Sequence, residues 1–214
     1  MDILNSELAA KVANELLRIQ AVKLQPNAPF TWASGWKSPI YCDNRKTLSY
    51  PDVRSMIAKG LAQGVKEQFP DAQVVAGVAT GAIAVGMLVA EELGLPFVYV
   101  RPKPKEHGLG NQIEGYLPEK SKVVVIEDLI STGGSSLKAV DALRETTCEV
   151  LGMLAIFTYG FAQADENFED ASCKIITLSN YSELVKLAAS SGYVSENDLA
   201  QLSEWRKSPS TWKS

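Results

Sequence analysis

The sequence predicts an α/β fold: a parallel β-sheet with helices on both faces and a small N-terminal hood region. Two patterns carry this expectation. Short apolar, β-branched runs recur at Val74–Val78, Phe97–Val100, Lys122–Ile126, Val150–Thr158 and Ile175–Leu178. Helical periodicity fills the gaps between them, and continuous apolar strands separated by helices belong to a parallel sheet buried on both sides. A third observation sets the scale: 214 residues with 46% hydrophobic content supply one core of ordinary size. Residues 1–214 therefore read as a single domain, with helix and hood in 1–70, the sheet core in 71–180 and C-terminal helices in 181–214.

The elements follow in order. Leu8, Val12, Leu16 and Ile19 share one face of a helix expected from Ser6 to Gln20, with Ser6 as its N-cap. Its charged residues make it an amphipathic helix and not a signal peptide. The stretch Gln25–Pro51 is rich in proline and aromatic residues, which predicts short strands among loops. Val53, Ile57, Leu61 and Val65 space a helix from Asp52 to Gln68. After the Val74 strand, Thr80-Gly81 turns into a helix that runs to Leu93. A Gly-rich turn follows the Lys122 strand and opens a helix from Ser135 to Glu145. A short helix is expected near Asp165. The tail from Tyr181 reads as one or two short helices and a polar, disordered end.

Composition excludes several functions. A formal net charge of −4 offers no broad basic surface, so neither nucleic acid nor membrane is expected as a partner. No apolar run approaches the ~20 residues that cross a bilayer. Cys42, Cys148 and Cys173 are scattered, without CxxC spacing, as in a cytosolic protein with reduced thiols. The GxxxxGK[ST] and GxGxxG phosphate motifs are absent from the sequence.

The strongest chemical signal is VVVIEDLISTGGSS, Val123–Ser136. An apolar strand ends in adjacent acids, Glu127 and Asp128, and a Ser131-Thr132-Gly133-Gly134-Ser135 turn opens a helix. Ligands of open α/β sheets bind at the carboxyl ends of strands. Glycines let a phosphate approach the backbone, and the helix start offers free N–H groups and the positive end of its dipole. Carboxylates beside a phosphate site would repel the ligand unless they held something else, sugar hydroxyls or a magnesium ion. A ribose phosphate meets both needs, with phosphate in the turn and hydroxyls on the acids.

This strand, acid pair and turn resemble the 5-phosphoribosyl pyrophosphate (PRPP) signature of the type I phosphoribosyltransferases. The resemblance implies that family's fold, with 71–180 as the PRPP-binding core. It implies PRPP contacts at Glu127, Asp128, Leu129, Ile130, Ser131, Thr132, Gly133, Gly134 and Ser135. Three further segments resemble the orotate branch of the family: Phe30–Pro51, Arg101–Gly115 and Ala155–Phe161. That branch joins orotate to PRPP, giving orotidine 5'-monophosphate and pyrophosphate in UMP biosynthesis.

The long connection after Val100 also has a chemical logic of its own. Arg101, Lys103, Lys105 and His107 gather positive charge in an acidic chain, and Gly108 and Gly110 widen the conformations open to it. Donors aimed at a departing pyrophosphate stabilise its developing charge, and closing such a loop excludes water. By resemblance Arg101, Lys105 and His107 hold the pyrophosphate, with Lys105, His107 and Asp128 as the catalytic set. Ser131 faces orotate as well as phosphate, and Thr80-Gly81 forms a pyrophosphate loop. The resemblance further implies Mg2+ bound mainly through PRPP, without protein ligands of its own, and a cytoplasmic homodimer that shares the loop across its interface. The chain departs from one orotate branch at Ala33, Pro102 and Tyr159-Gly160, which leaves Lys37 or Arg45 to meet the orotate carboxylate. Two other readings stay open: a transferase for purine bases, and a PRPP sensor without catalysis.

Overall fold

The structure is a computed structural model, and it describes residues 1–32, 34–103 and 112–213. In chain order the elements are β1 (Asp2–Ile3), α1 (Ser6–Arg18), β2 (Val22–Leu24), β3 (Phe30–Thr31), β4 (Lys37–Ser38), β5 (Ile40–Cys42) and a 3-10 turn (Asn44–Ser49). Then come α2 (Pro51–Gln68), β6 (Val74–Val78), α3 (Gly81–Leu93), β7 (Phe97–Val100), β8 (Ile113–Glu114), β9 (Lys122–Ile130) and α4 (Gly134–Arg144). The chain ends with β10 (Glu149–Thr158), α5 (Ala162–Asp170), β11 (Ile175–Asn180), α6 (Tyr181–Ser190) and α7 (Glu196–Lys207).

Among the described residues, seven strands form one sheet in the order β1-β11-β10-β9-β6-β7-β8. All neighbours run parallel except the β7–β8 pair. Its central strands are nearly continuous Val, Ile, Ala and Met because both faces are covered, and Val74–Ala76, Val123–Ile126 and Met153–Phe157 are buried. Helices α1, α2 and α3 pack on one face, and α4 and α5 lie on the other, α4 against the sheet and α5 against α4. From β6 the chain steps through α3 to β7 on one side. From β9 it steps through α4 to β10 on the other. The order therefore reverses between β6 and β9, and that switch point is where open α/β sheets bind ligands.

Several expected boundaries move, two of them for clear physical reasons. Asn5 and not Ser6 caps α1, its Oδ1 accepting the Leu8 N–H at 2.7 Å. A residue at the cap keeps extended backbone, which Asn5 has and Ser6, already helical, does not. Strand β9 does not stop at Ile126 but runs to Ile130, because β10 continues beside it to the Thr158–Ile130 pair. The polar tail is not disordered through Lys213: Trp212 is buried, and Lys213 Nζ donates to the Pro26 carbonyl at 2.9 Å. The long connection after Val100 contains β8, which pairs Tyr99 with Glu114.

The N-terminal hood consists of two antiparallel pairs, β2–β5 and β3–β4. It is tied to the C-terminal helices by rings. Trp32 packs 4.9 Å from Tyr159 and edge-on to Trp205 at 5.7 Å, and its indole N–H donates to the Ile40 carbonyl.

Candidate active site

The carboxyl ends of β6 and β9 open into a cavity of about 730 Å³. Thr80 and Gly81 line it from β6, and Glu127, Asp128 and Leu129 from β9. Ser135 and Lys138 of α4 face it, as do Arg101 and Lys103 after β7 and Gln112 before β8. Cys42, Asp43 and Arg45 of the hood form the remaining wall.

The two acids divide. Pairing with β6 ends at Gly77–Ile126, whereas pairing with β10 carries β9 on through both acids. Glu127 points back under the first turn of α4, where its Oε2 accepts the Ser136 hydroxyl at 2.7 Å and its Oε1 the Asp128 N–H at 2.8 Å. Burial, then the neighbouring Asp128 carboxyl, pushes Glu127 well above the usual carboxylate range. Asp128 is more open and presses on the first helical turn after β6. A Cβ on Gly81 would overlap its carboxyl group, so that position admits only glycine if Asp128 is to stay in place.

The turn after β9 is pinned from outside. Gly133 has the left-handed φ of +83°, and a Cβ there would lie 2.6 Å from the Phe168 ring of α5. Asn167, also of α5, donates to the Thr132 carbonyl at 2.8 Å. Gly134, by contrast, has nothing among the described residues within 4 Å of where a side chain would begin. The N–H groups in the first turn of α4 have no acceptor within the helix and, among the described residues, no side-chain cap. The turn thus presents donors to open space, as an anion requires.

The expected residues come together in large part. Arg101, Glu127, Asp128, Leu129 and Ser135 line the cavity, and Thr80-Gly81 joins them. Ser131, Thr132, Gly133 and Gly134 form the adjoining turn and do not line the cavity itself. The Ile130 side chain is fully buried, so only its backbone can serve a ligand. Lys105, His107 and Ala33 lie outside the described residues. Of the two candidates for the carboxylate, Arg45 lines the cavity. Lys37 does not, and donates to Thr31 Oγ1 at 2.8 Å. Asp43 grips Arg45 through two hydrogen bonds, of 2.7 and 3.0 Å, and the guanidinium holds the Asp43 carboxyl below its ordinary value. That leaves the other edge of the guanidinium for a ligand. Sequence reasoning missed Asn44, Ser136, Lys138 and Asn167. Ser136 stood inside the motif, four residues before a β-branched helical core position, but its burial could not be read without α4 laid against β9.

An acid strand at a sheet's switch point, followed by an open glycine turn, defines a phosphoribosyltransferase site. Residues 47–189 match the phosphoribosyl transferase domain family. The chain belongs, more narrowly, to the orotate phosphoribosyltransferase family. It is 60% identical to the orotate phosphoribosyltransferase of Porphyromonas gingivalis, over 96% of this chain and 98% of that one. It is 58% identical to that of Bacteroides fragilis, over 94% and 95%. A crystal structure of orotate phosphoribosyltransferase from Aeropyrum pernix superposes with a TM-score of 0.74 at 27% identity, over 86% of this chain and 99% of that one.

Proposed function

We infer that the protein transfers the phosphoribosyl group of PRPP to orotate, giving orotidine 5'-monophosphate and pyrophosphate in UMP biosynthesis. The observation that carries this is the acid pair at the switch point running directly into the glycine turn, in a chain of this family.

The residues take roles from their places. The backbone from Leu129 to Ser135, with the hydroxyls of Ser131, Thr132 and Ser135, holds the 5'-phosphate. Asp128 holds the ribose hydroxyls, and Glu127 braces it from beneath. Arg101, Lys105 and His107 meet the pyrophosphate, with Lys103 beside them. Ser131 and the wall from Cys42 to Arg45 hold orotate, and Arg45 supplies charge for its carboxylate. Orotate N1, as an anion, attacks C1' while the bond to pyrophosphate breaks. The chain positions the reactants and stabilises charge, without a protein nucleophile. The Cys42 thiol suits that passive part, since burial, then the Asp128 and Asp43 carboxylates, push it well above its ordinary value.

Magnesium fits this donor set. Its octahedral shell is usually completed by substrate phosphates and one or two carboxylates, and Asp128 is the carboxylate open enough to face it. When bound, the ion neutralises pyrophosphate charge. We further propose that residues 1–214 act as one domain, in a cytosolic homodimer that shares the Arg101–Gly115 loop across its interface. Among the described residues no helix is long and apolar enough to cross a membrane.

Pyrophosphate release is the test, with PRPP and each of orotate, hypoxanthine, adenine and xanthine. Release with orotate alone is expected. Release only with a purine base overturns the base assignment, and PRPP binding without turnover on any base indicates a sensor.

A further inference from the structure

We propose that Asn44 is a positioning residue for this reaction: its side-chain amide takes the place of strand β6 along β9 and ties the base-side wall to the ribose-side acid. The proposal rests on the function inferred above.

Where β6 stops pairing, at Gly77–Ile126, β9 continues for four more residues with a partner on one side only. The freed edge of β9 needs acceptors and donors from elsewhere, because a buried backbone group left unpaired is costly. Asn44 answers this at the acid itself. Its Nδ2 donates to the Asp128 carbonyl at 2.5 Å, across 84 residues of chain. Its Oδ1 accepts the Cys42 thiol at 3.4 Å, and its own carbonyl accepts the Thr47 hydroxyl at 2.6 Å. Asn44 itself is 2% exposed, so on its side little water competes for these bonds.

Asn44 itself lies behind the wall. Cys42, Asp43 and Arg45 line the cavity, and Asn44 does not. It therefore acts through others: one end of the amide holds the ribose acid, the other the base wall. Their separation fixes how far the attacking ring nitrogen sits from C1'. Misplacement by about 1 Å costs on the order of 100-fold in rate. The amide's two ends cannot be supplied by a carboxylate, which has no donor for the Asp128 carbonyl, or by a shorter hydroxyl.

The test is steady-state kinetics of Asn44→Asp and Asn44→Ser with orotate and PRPP, together with melting curves. Expected is a kcat at least tenfold lower, with KM for each substrate changed less than threefold, since each half of the cavity still binds its own ligand. Two results overturn the proposal: unchanged kcat with a lower melting temperature, or a rise in one KM at constant kcat. If both variants fail to fold, a crystal structure of the parent protein with PRPP and orotate decides. An Asn44 amide still on the Asp128 carbonyl supports the proposal, and an amide turned away overturns it. A parent enzyme that releases no pyrophosphate from orotate fails at the earlier inference, which separates the two.

Discussion

On each side of the switch point the chain turns from strand to helix, and the two turns differ in what they press against. After β6, Gly81 lies against the Asp128 carboxyl, the far end of a movable side chain. After β9, Gly133 lies against the Phe168 ring with a left-handed backbone, while Gly134 beside it faces open space. The first turn leaves room for an acid; the second is a rigid frame around donors. Glycine therefore serves three purposes within one site, and each predicts a different response to one methyl group.

Gly133→Ala should have the largest effect and act on the whole fold. Left-handed backbone costs a side chain about 1–2 kcal/mol, and crowding a packed ring adds about 1–3 kcal/mol. A loss of about 3 kcal/mol in denaturant unfolding is expected, with activity lost alongside. A stable variant would mean that Phe168 yields and that the frame is soft.

Gly81→Ala should reverse the pattern. The added methyl meets only the end of Asp128, which can rotate, so stability should change by less than about 1 kcal/mol. Rotation takes the carboxylate off its target, however, and turnover should fall roughly 100-fold, about 2.7 kcal/mol in the barrier. Equal losses of stability and activity in this variant would erase the distinction between the turns.

Gly134→Ala tests the open space. Alanine favours a helix over glycine by ~1 kcal/mol, so the melting temperature should hold or rise. Any ligand approaching those N–H groups would meet the methyl, and kcat/KM for PRPP should fall about fivefold, near 1 kcal/mol. Unchanged kinetics would place the phosphate elsewhere.

Which features were legible in the sequence follows the same division. The β9 strand and its turn are one continuous segment, so residue type and spacing exposed the acids, the glycines and the helix start together. Strand β6 and helix α3 were readable for the same reason. What stayed hidden is held across distance. Asn44 meets Asp128 over 84 residues, and Phe168 and Asn167 brace a turn some 35 positions earlier. Asn5 and Ser6 are both good caps by residue type, and only backbone conformation separates them. Strand β9 outran its apolar run because β10 dictates its length, not its own hydrophobicity. Arg45 could be separated from Lys37 only once the hood was folded over the cavity.

The two acids extend the comparison, since each turn governs one of them: Gly81 touches Asp128, and Ser136 in the first turn of α4 holds Glu127. Glu127→Gln isolates the second, and its effect is the smallest. Burial holds the folded Glu127 proton to a higher pH than the ordinary value of 4.5. The stability linked to that proton is complete below 4.5 and is lost as pH climbs through the folded value, because the folded chain then binds the extra proton and the unfolded chain does not. A glutamine keeps its hydrogens at every pH and avoids that loss. The melting temperature of the variant minus that of the parent should therefore grow as pH is raised from about 4.5 to 8, measured in a series of buffers at constant ionic strength. A difference that stays flat across the series would mean that burial does not hold the Glu127 proton in the folded protein.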